Sequence, residues 1–200
     1  MQQIYMFTVT LLLTIMGLAN TASAAENPAG GRGQGGSPKI LVAYFSCTGT
    51  TETLAKQAAD ALGADLRQIQ PQEPYTNADL NYHDKSSRCS VEMNDPTARP
   101  AIAENVANMA DYDIVFLGYP IWWGQAPRIV STFLENQDFS GKTIVPFCTS
   151  GGSDLGSSDR DLHALAGGAR WLPGKRLLGS ASRDEVIKWI NELGIDVTAN

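Results

Sequence analysis

Histidine and cysteine are scarce in this chain, with two and three copies among 200 residues. His83 and His163 are isolated, and each reads as a surface side chain rather than a catalyst. Cys47, Cys89 and Cys148 match no zinc-ligand spacing, and their odd number leaves at least one thiol without an intramolecular partner. Cys148 ends an apolar run and reads as a small buried residue. Cys89 lies in a polar stretch, where a disulfide to Cys47 is possible but nothing in the sequence supports it. Basic residues are also thin: 15 Lys and Arg against 21 Asp and Glu leave a net charge of −6. No Lys or Arg cluster occurs, which argues against nucleic acid as a partner, because a phosphate-tracking surface needs one. Charged residues make up only 18% of the chain and apolar ones 43%. That balance supplies a core and excludes a disordered or fibrous protein.

Charge is missing altogether from residues 4–19, which are dominated by Ile, Leu, Met, Phe and Val. They lead into Thr21-Ala22-Ser23-Ala24, whose small residues suit a signal peptidase. We read residues 1–24 as a secretory signal cleaved after Ala24, although Met1-Gln2-Gln3 brings no Lys or Arg. An uncleaved anchor and a buried core helix are the competing readings. The run is short of the roughly 20 residues a bilayer span needs, so cleavage leaves no membrane span. No Arg-Arg pair points to the twin-arginine route, and no Cys near the cleavage site points to a lipoprotein. Residues 25–37 are rich in Gly and form a flexible linker. The expectation is a secreted or periplasmic protein with one folded domain over residues 38–200.

Within that domain, continuous apolar runs mark strands buried on both faces at residues 39–45, 113–119 and 143–148. Residues 65–70 alternate as an edge strand closed by Pro71, and residues 169–178 hold a last strand interrupted or flanked by Pro173-Gly174. Helical spacing links Leu54, Ala55, Ala58, Ala61 and Leu62, with Gly63 as the stop. Further helices are expected from Pro100 (Ile102, Val106, Met109, Ala110), from Pro127 (Ile129, Val130, Phe133, Leu134) and from a capped start at Ser158 (Leu162, Leu165, Ala166). The last opens on a Ser182–Glu185 capping box ahead of Val186, Trp189 and Ile190. Residues 71–99 show no period and read as a long irregular insertion. Five strands alternating with five helices imply an α/β domain, a parallel sheet with helices on both faces. Functional loops then belong at the carboxyl ends of the strands.

Three loops of unusual composition fall at such ends. Ser46-Cys47-Thr48-Gly49-Thr50-Thr51 sets four hydroxyls and a Gly ahead of a helix N-terminus, where backbone N–H groups favour an anion. No Gly-Lys-Ser/Thr is present, which argues against a triphosphate loop and for a phosphate monoester held without metal. Pro120-Ile121-Trp122-Trp123-Gly124 puts two indoles where no core stripe explains them, suited to stacking on a planar ligand. Thr149-Ser150-Gly151-Gly152-Ser153 offers backbone that can approach a ring closely. A helix cap with incidental threonines, and indoles buried as core, are the ordinary alternatives.

These three motifs, in order, resemble those of the flavodoxin-like family, in its bacterial flavodoxin-domain branch, over residues 40–194. The resemblance implies a doubly wound five-stranded sheet of order 2-1-3-4-5 and non-covalent FMN. Its phosphate would sit at Ser46, Thr48, Gly49, Thr50 and Thr51, with Cys47 at the variable position of the same FMN-binding loop. Its isoalloxazine ring would lie between residues 120–124 and 149–153. No catalytic acid or base and no metal site is implied. The leading expectation is an exported FMN-binding electron carrier whose acidic surface suits a basic redox partner protein. An FMN-dependent NAD(P)H:quinone or small-acceptor reductase is the second reading, with Tyr75, Tyr82 and Arg88 of the insertion shaping a pocket over the flavin. A non-redox module for a phosphorylated or planar ligand is the third.

Overall fold

The structure, a computed structural model, describes residues 37–195. The expected signal, the linker apart from Ser37, and the last five residues of the expected domain lie outside that range. The elements in chain order are β1 (Ile40–Tyr44), α1 (Thr50–Leu62), β2 (Asp65–Gln68), α2 (Arg88–Asn94), β3 (Ile114–Pro120), α3 (Arg128–Glu135), β4 (Thr143–Thr149), α4 (Ser158–His163), β5 (Arg170–Trp171), β6 (Lys175–Leu177) and α5 (Arg183–Glu192). All strand pairs are parallel, in the order β2-β1-β3-β4-β5, with β6 also paired to β4.

Successive strand side chains point to opposite faces, which sorts the apolar runs into two cores. Leu41, Ala43, Val115 and Leu117 pack with Ile129, Val130 and Phe133 of α3. Val42, Tyr44, Ile114 and Phe116 pack on the other side with Leu54 and Ala58 of α1 and Trp189 of α5. Burial on both faces is what makes β1, β3 and β4 continuous rather than alternating runs. A close fit joins β3 to β4, because a Cβ on Gly118 would come within 2.3 Å of the Phe147 ring. The fifth strand position is split in two. β5 pairs with Thr143 and Ile144, β6 with Phe147 to Thr149, and the break falls opposite Pro146, which has no N–H to give.

Three local expectations fail. No helix starts at Pro100: Ile102 bridges antiparallel to Pro71, Gln72 N–H donates to Ala101 at 2.8 Å and Ala103 N–H to Gln70 at 2.8 Å. Those bonds occupy the backbone a helix would need, and only a short 3₁₀ turn, Met109–Asp111, follows. Ile102 and Val106 still reach the core from this irregular path. The insertion, conversely, is not wholly irregular, since it contains α2, capped by the Ser87 hydroxyl, which accepts from Ser90 N–H. The third concerns α4: Ser157 makes no side-chain cap, and the Ser158 hydroxyl bonds instead to the Leu155 carbonyl and to Tyr119 Oη. Among the described residues, no helix is long and apolar enough to cross a membrane.

Candidate functional site

The carboxyl ends of β1, β3 and β4, three adjacent strands, open onto one cavity of about 710 Å³. That volume is in the ordinary range for a small-molecule site. Its first wall is the β1–α1 loop. Gly49 is the N-cap of α1 with φ +85°, a left-handed conformation that glycine adopts without strain. The turn is pinned by Gly49 N–H donating to Ser46 Oγ at 3.1 Å, while Thr53 N–H donates to the Gly49 carbonyl at 3.0 Å. The helix begins at Thr50, inside the expected loop, so Thr50 and Thr51 belong to its first turn, whose N–H groups lack intrahelical acceptors.

The hydroxyls of this wall divide into two kinds. Ser46 shapes the loop, and Thr51 is buried, its Oγ1 2.7 Å from Thr149 Oγ1. That pair ties the start of α1 to the end of β4 across the floor of the cavity. Thr48 and Thr50 stay exposed with their hydroxyls 3.5 Å apart, so they are available to a ligand.

The second wall is a tight turn. Trp122 N–H donates to the Gln125 carbonyl at 2.9 Å and Gln125 N–H to the Trp122 carbonyl at 3.0 Å. The two residues between them, Trp123 and Gly124, have φ of +47° and +76°, as a primed hairpin turn requires. Trp123 is the one non-glycine residue with positive φ among the described residues, and it is 51% exposed at the cavity mouth. Gly124 accepts from Ser157 N–H at 3.0 Å, which braces the turn from α4. Trp122 points the other way, edge-on to Phe45 at 5.7 Å and to Tyr75 at 5.6 Å.

The third wall is the β4 exit. Ser150 Oγ accepts from Gly152 N–H at 3.1 Å and donates to the Ser153 carbonyl, and Arg176 donates to the Gly152 carbonyl at 3.1 Å. A Cβ on Gly151 would meet nothing within 4 Å, so the backbone faces open space there.

The cavity therefore gathers Ser46, Cys47, Thr48, Thr50 and Thr51 with Pro120, Ile121, Trp122 and Trp123, and with Thr149, Ser150 and Gly151. Gly49, Gly124, Gly152 and Ser153 are not on its lining; they hold the loops from behind. Leu80, Cys89 and Gly179 also line it, and the sequence places none of them at the site. Leu80, Tyr82 and Cys89 come from the insertion. Gly179 is drawn in by close packing, since a Cβ there would lie 2.5 Å from Thr50 Cγ2. None of the lining residues carries a Lys, Arg, Asp or Glu side chain. Burial pushes the Cys47 and Cys148 thiols up to about 12, so both stay protonated at neutral pH. Neither histidine lines the cavity, and no group of three metal-ligating side chains occurs among the described residues.

A doubly wound parallel sheet, an anion-suited helix start and an uncharged cleft beside exposed indole together define a mononucleotide-binding class of α/β protein. The sequence profile of the flavodoxin family matches residues 39–193, and the chain belongs to that family. Two solved structures described as flavoproteins, from Bacteroides eggerthii and Bacteroides uniformis, are each 47% identical with TM-score 0.75. They cover 80% and 78% of this chain, and in each case 99% of the other. A flavoprotein in complex with FMN from Lactobacillus acidophilus shares the fold at 21% identity, with TM-score 0.60, over 77% of this chain and 99% of the other. No curated protein matches this chain.

Proposed function

We propose that this protein is an exported flavodoxin-like flavoprotein that binds FMN and transfers electrons. The observation that carries the reading is the meeting of three strand-end loops on one uncharged cavity, with the exposed hydroxyls of Thr48 and Thr50 and a helix start at one wall and an exposed indole at another. The residues fit FMN. Thr48, Thr50 and the first-turn N–H groups of α1 would hold the phosphate with neutral donors alone. Trp123 would cover the ring, and the open backbone at Gly151 would approach its edge. When bound, FMN supplies the chemistry, accepting and returning one or two electrons. The protein's part is to orient the ring, exclude water from its inner face and leave an edge accessible at the mouth. The nearby thiols are held neutral and add no negative charge.

Titrating the ligand-free chain with FMN, read by flavin fluorescence and absorbance, tests this; saturable one-to-one binding is expected. A colourless chain that ignores FMN would remove the reading. Export has its own test, because N-terminal sequencing of the mature protein is expected to begin at Ala25.

A second reading is favoured by the insertion. Its Leu80, Tyr82 and Cys89 add a cavity wall beyond the three strand-end loops, as a reductase for quinones or other small acceptors would need. Rapid NAD(P)H-dependent quinone turnover by the FMN-loaded protein would select the reductase; its absence selects the carrier.

A further inference from the structure

Cys47 and Cys89 are remote in sequence, yet both line the same cavity. Cys47, Tyr75 and Trp122 pack against one core cluster. α2 is anchored to Tyr75. Glu92 accepts the Tyr75 hydroxyl at 2.5 Å, and the Arg88 guanidinium lies over the Tyr75 ring, 4.1 Å from its centroid. Cys89 stands three residues before Glu92, on the same face of α2, and both are buried. Its thiol is 3.5 Å from the Ser87 hydroxyl. Arg88, Cys89 and Glu92 of α2 all bear on the ionisation of Cys47, and Cys47 in turn bears on that of Tyr75. Cys148 belongs elsewhere, answering to Asp154 and Arg176 and not lining the cavity. All three cysteines are present as free thiols.

We propose that Cys47 and Cys89 form a redox-active dithiol that closes to a disulfide by exchange with a small-molecule disulfide, latching the insertion onto the β1–α1 loop. The thiolate of Cys47 attacks the reagent's S–S bond and releases one reagent thiol. Cys89 then attacks the Cys47 sulfur of the mixed disulfide and releases the second. Two protein thiols lose two electrons and two protons, and the reagent takes up both as two thiols. Cys47 reacts first because it is half-buried, whereas Cys89 is only 2% exposed. Burial holds Cys47 protonated, up to about 12, so closure is slow at neutral pH and quickens about tenfold per pH unit below that value. The pairing does not depend on FMN as the ligand.

The test uses the full chain, reduced, then incubated with oxidised glutathione at a series of pH values, acid-quenched, unfolded and assayed for thiols and by non-reducing peptide mapping. Free thiols are expected to fall from three to one, with a cross-linked peptide joining Cys47 to Cys89 and Cys148 left free. In Cys89→Ser, glutathione is expected to remain on Cys47. Three persistent thiols at pH 9 would overturn the proposal. So would a stable glutathione adduct or an intermolecular dimer in the unsubstituted chain, or a cross-link to Cys148.

Discussion

A single tryptophan shows how one residue can carry both strain and function. Trp123 has no core to bury it and sits in a left-handed conformation that costs an L-residue about 1–2 kcal/mol. Strain of that kind is held by its surroundings, here the Trp122–Gln125 bridge and the Ser157 brace. Trp123→Gly is expected to leave stability unchanged or raise it in urea unfolding. It should weaken FMN binding about 2- to 12-fold, the loss of one aromatic contact of about 0.5–1.5 kcal/mol. Unaltered affinity would show that the indole does not face the ligand. Thr51 behaves differently because its hydroxyl is buried against Thr149. Thr51→Val leaves the Thr149 hydroxyl without its partner and is expected to cost about 1–3 kcal/mol. Thr51→Val with Thr149→Val should cost less than the sum of the two single changes, which a double-mutant cycle measures.

At the scale of elements, α2 depends on one polar cluster. Arg88 Nε donates to Glu92 Oε1 at 2.7 Å and Arg88 Nη1 to the Glu73 carbonyl at 2.7 Å, while Tyr75 donates to the other Glu92 oxygen. Arg88→Ala leaves the buried Glu92 carboxylate with only Tyr75. It is expected to cost about 1–3 kcal/mol and to admit protease within residues 71–99 before the sheet unfolds, as limited proteolysis would read. The same helix marks the boundary of what was legible beforehand. β1, β3 and β4 could be read because burial on both faces writes a continuous apolar run, and the three strand-end loops followed from them. α2 could not, because its buried face holds Ser90 and Glu92 as well as Cys89 and Met93. Its stability comes from hydrogen bonds that leave no hydrophobic period. The places of Cys89 and Leu80 on the cavity are hidden with it. The Pro100 helix was over-read for the opposite reason, since Ile102 and Val106 reach the core from a bridged, non-helical chain.

Over the whole molecule, charge and site are separated. The net charge is −6, whereas the lining of the cavity is uncharged. Binding to a basic redox partner is therefore expected to slow steeply as salt is added, because the two fields are screened. FMN affinity should change little over the same range, since neutral donors hold the phosphate. Stopped-flow electron transfer and equilibrium titration, run over one salt series, would check both; parallel salt dependence would contradict this division.

The cavity walls come from the ends of β1, β3 and β4, from Leu80, Tyr82 and Cys89 of the insertion and from Gly179, positions that share no local stretch of chain. Until those three strands are paired in register there is nothing for a nucleotide to bind. Flavin capture is thus a clock for folding: in refolding, its signal should rise with the last step of sheet assembly and never before it. Once made, the complex stabilises only the finished fold, by mass action. A chain that crosses a membrane unfolded would pass as apoprotein and be drawn toward its native state by whatever FMN it meets on the far side.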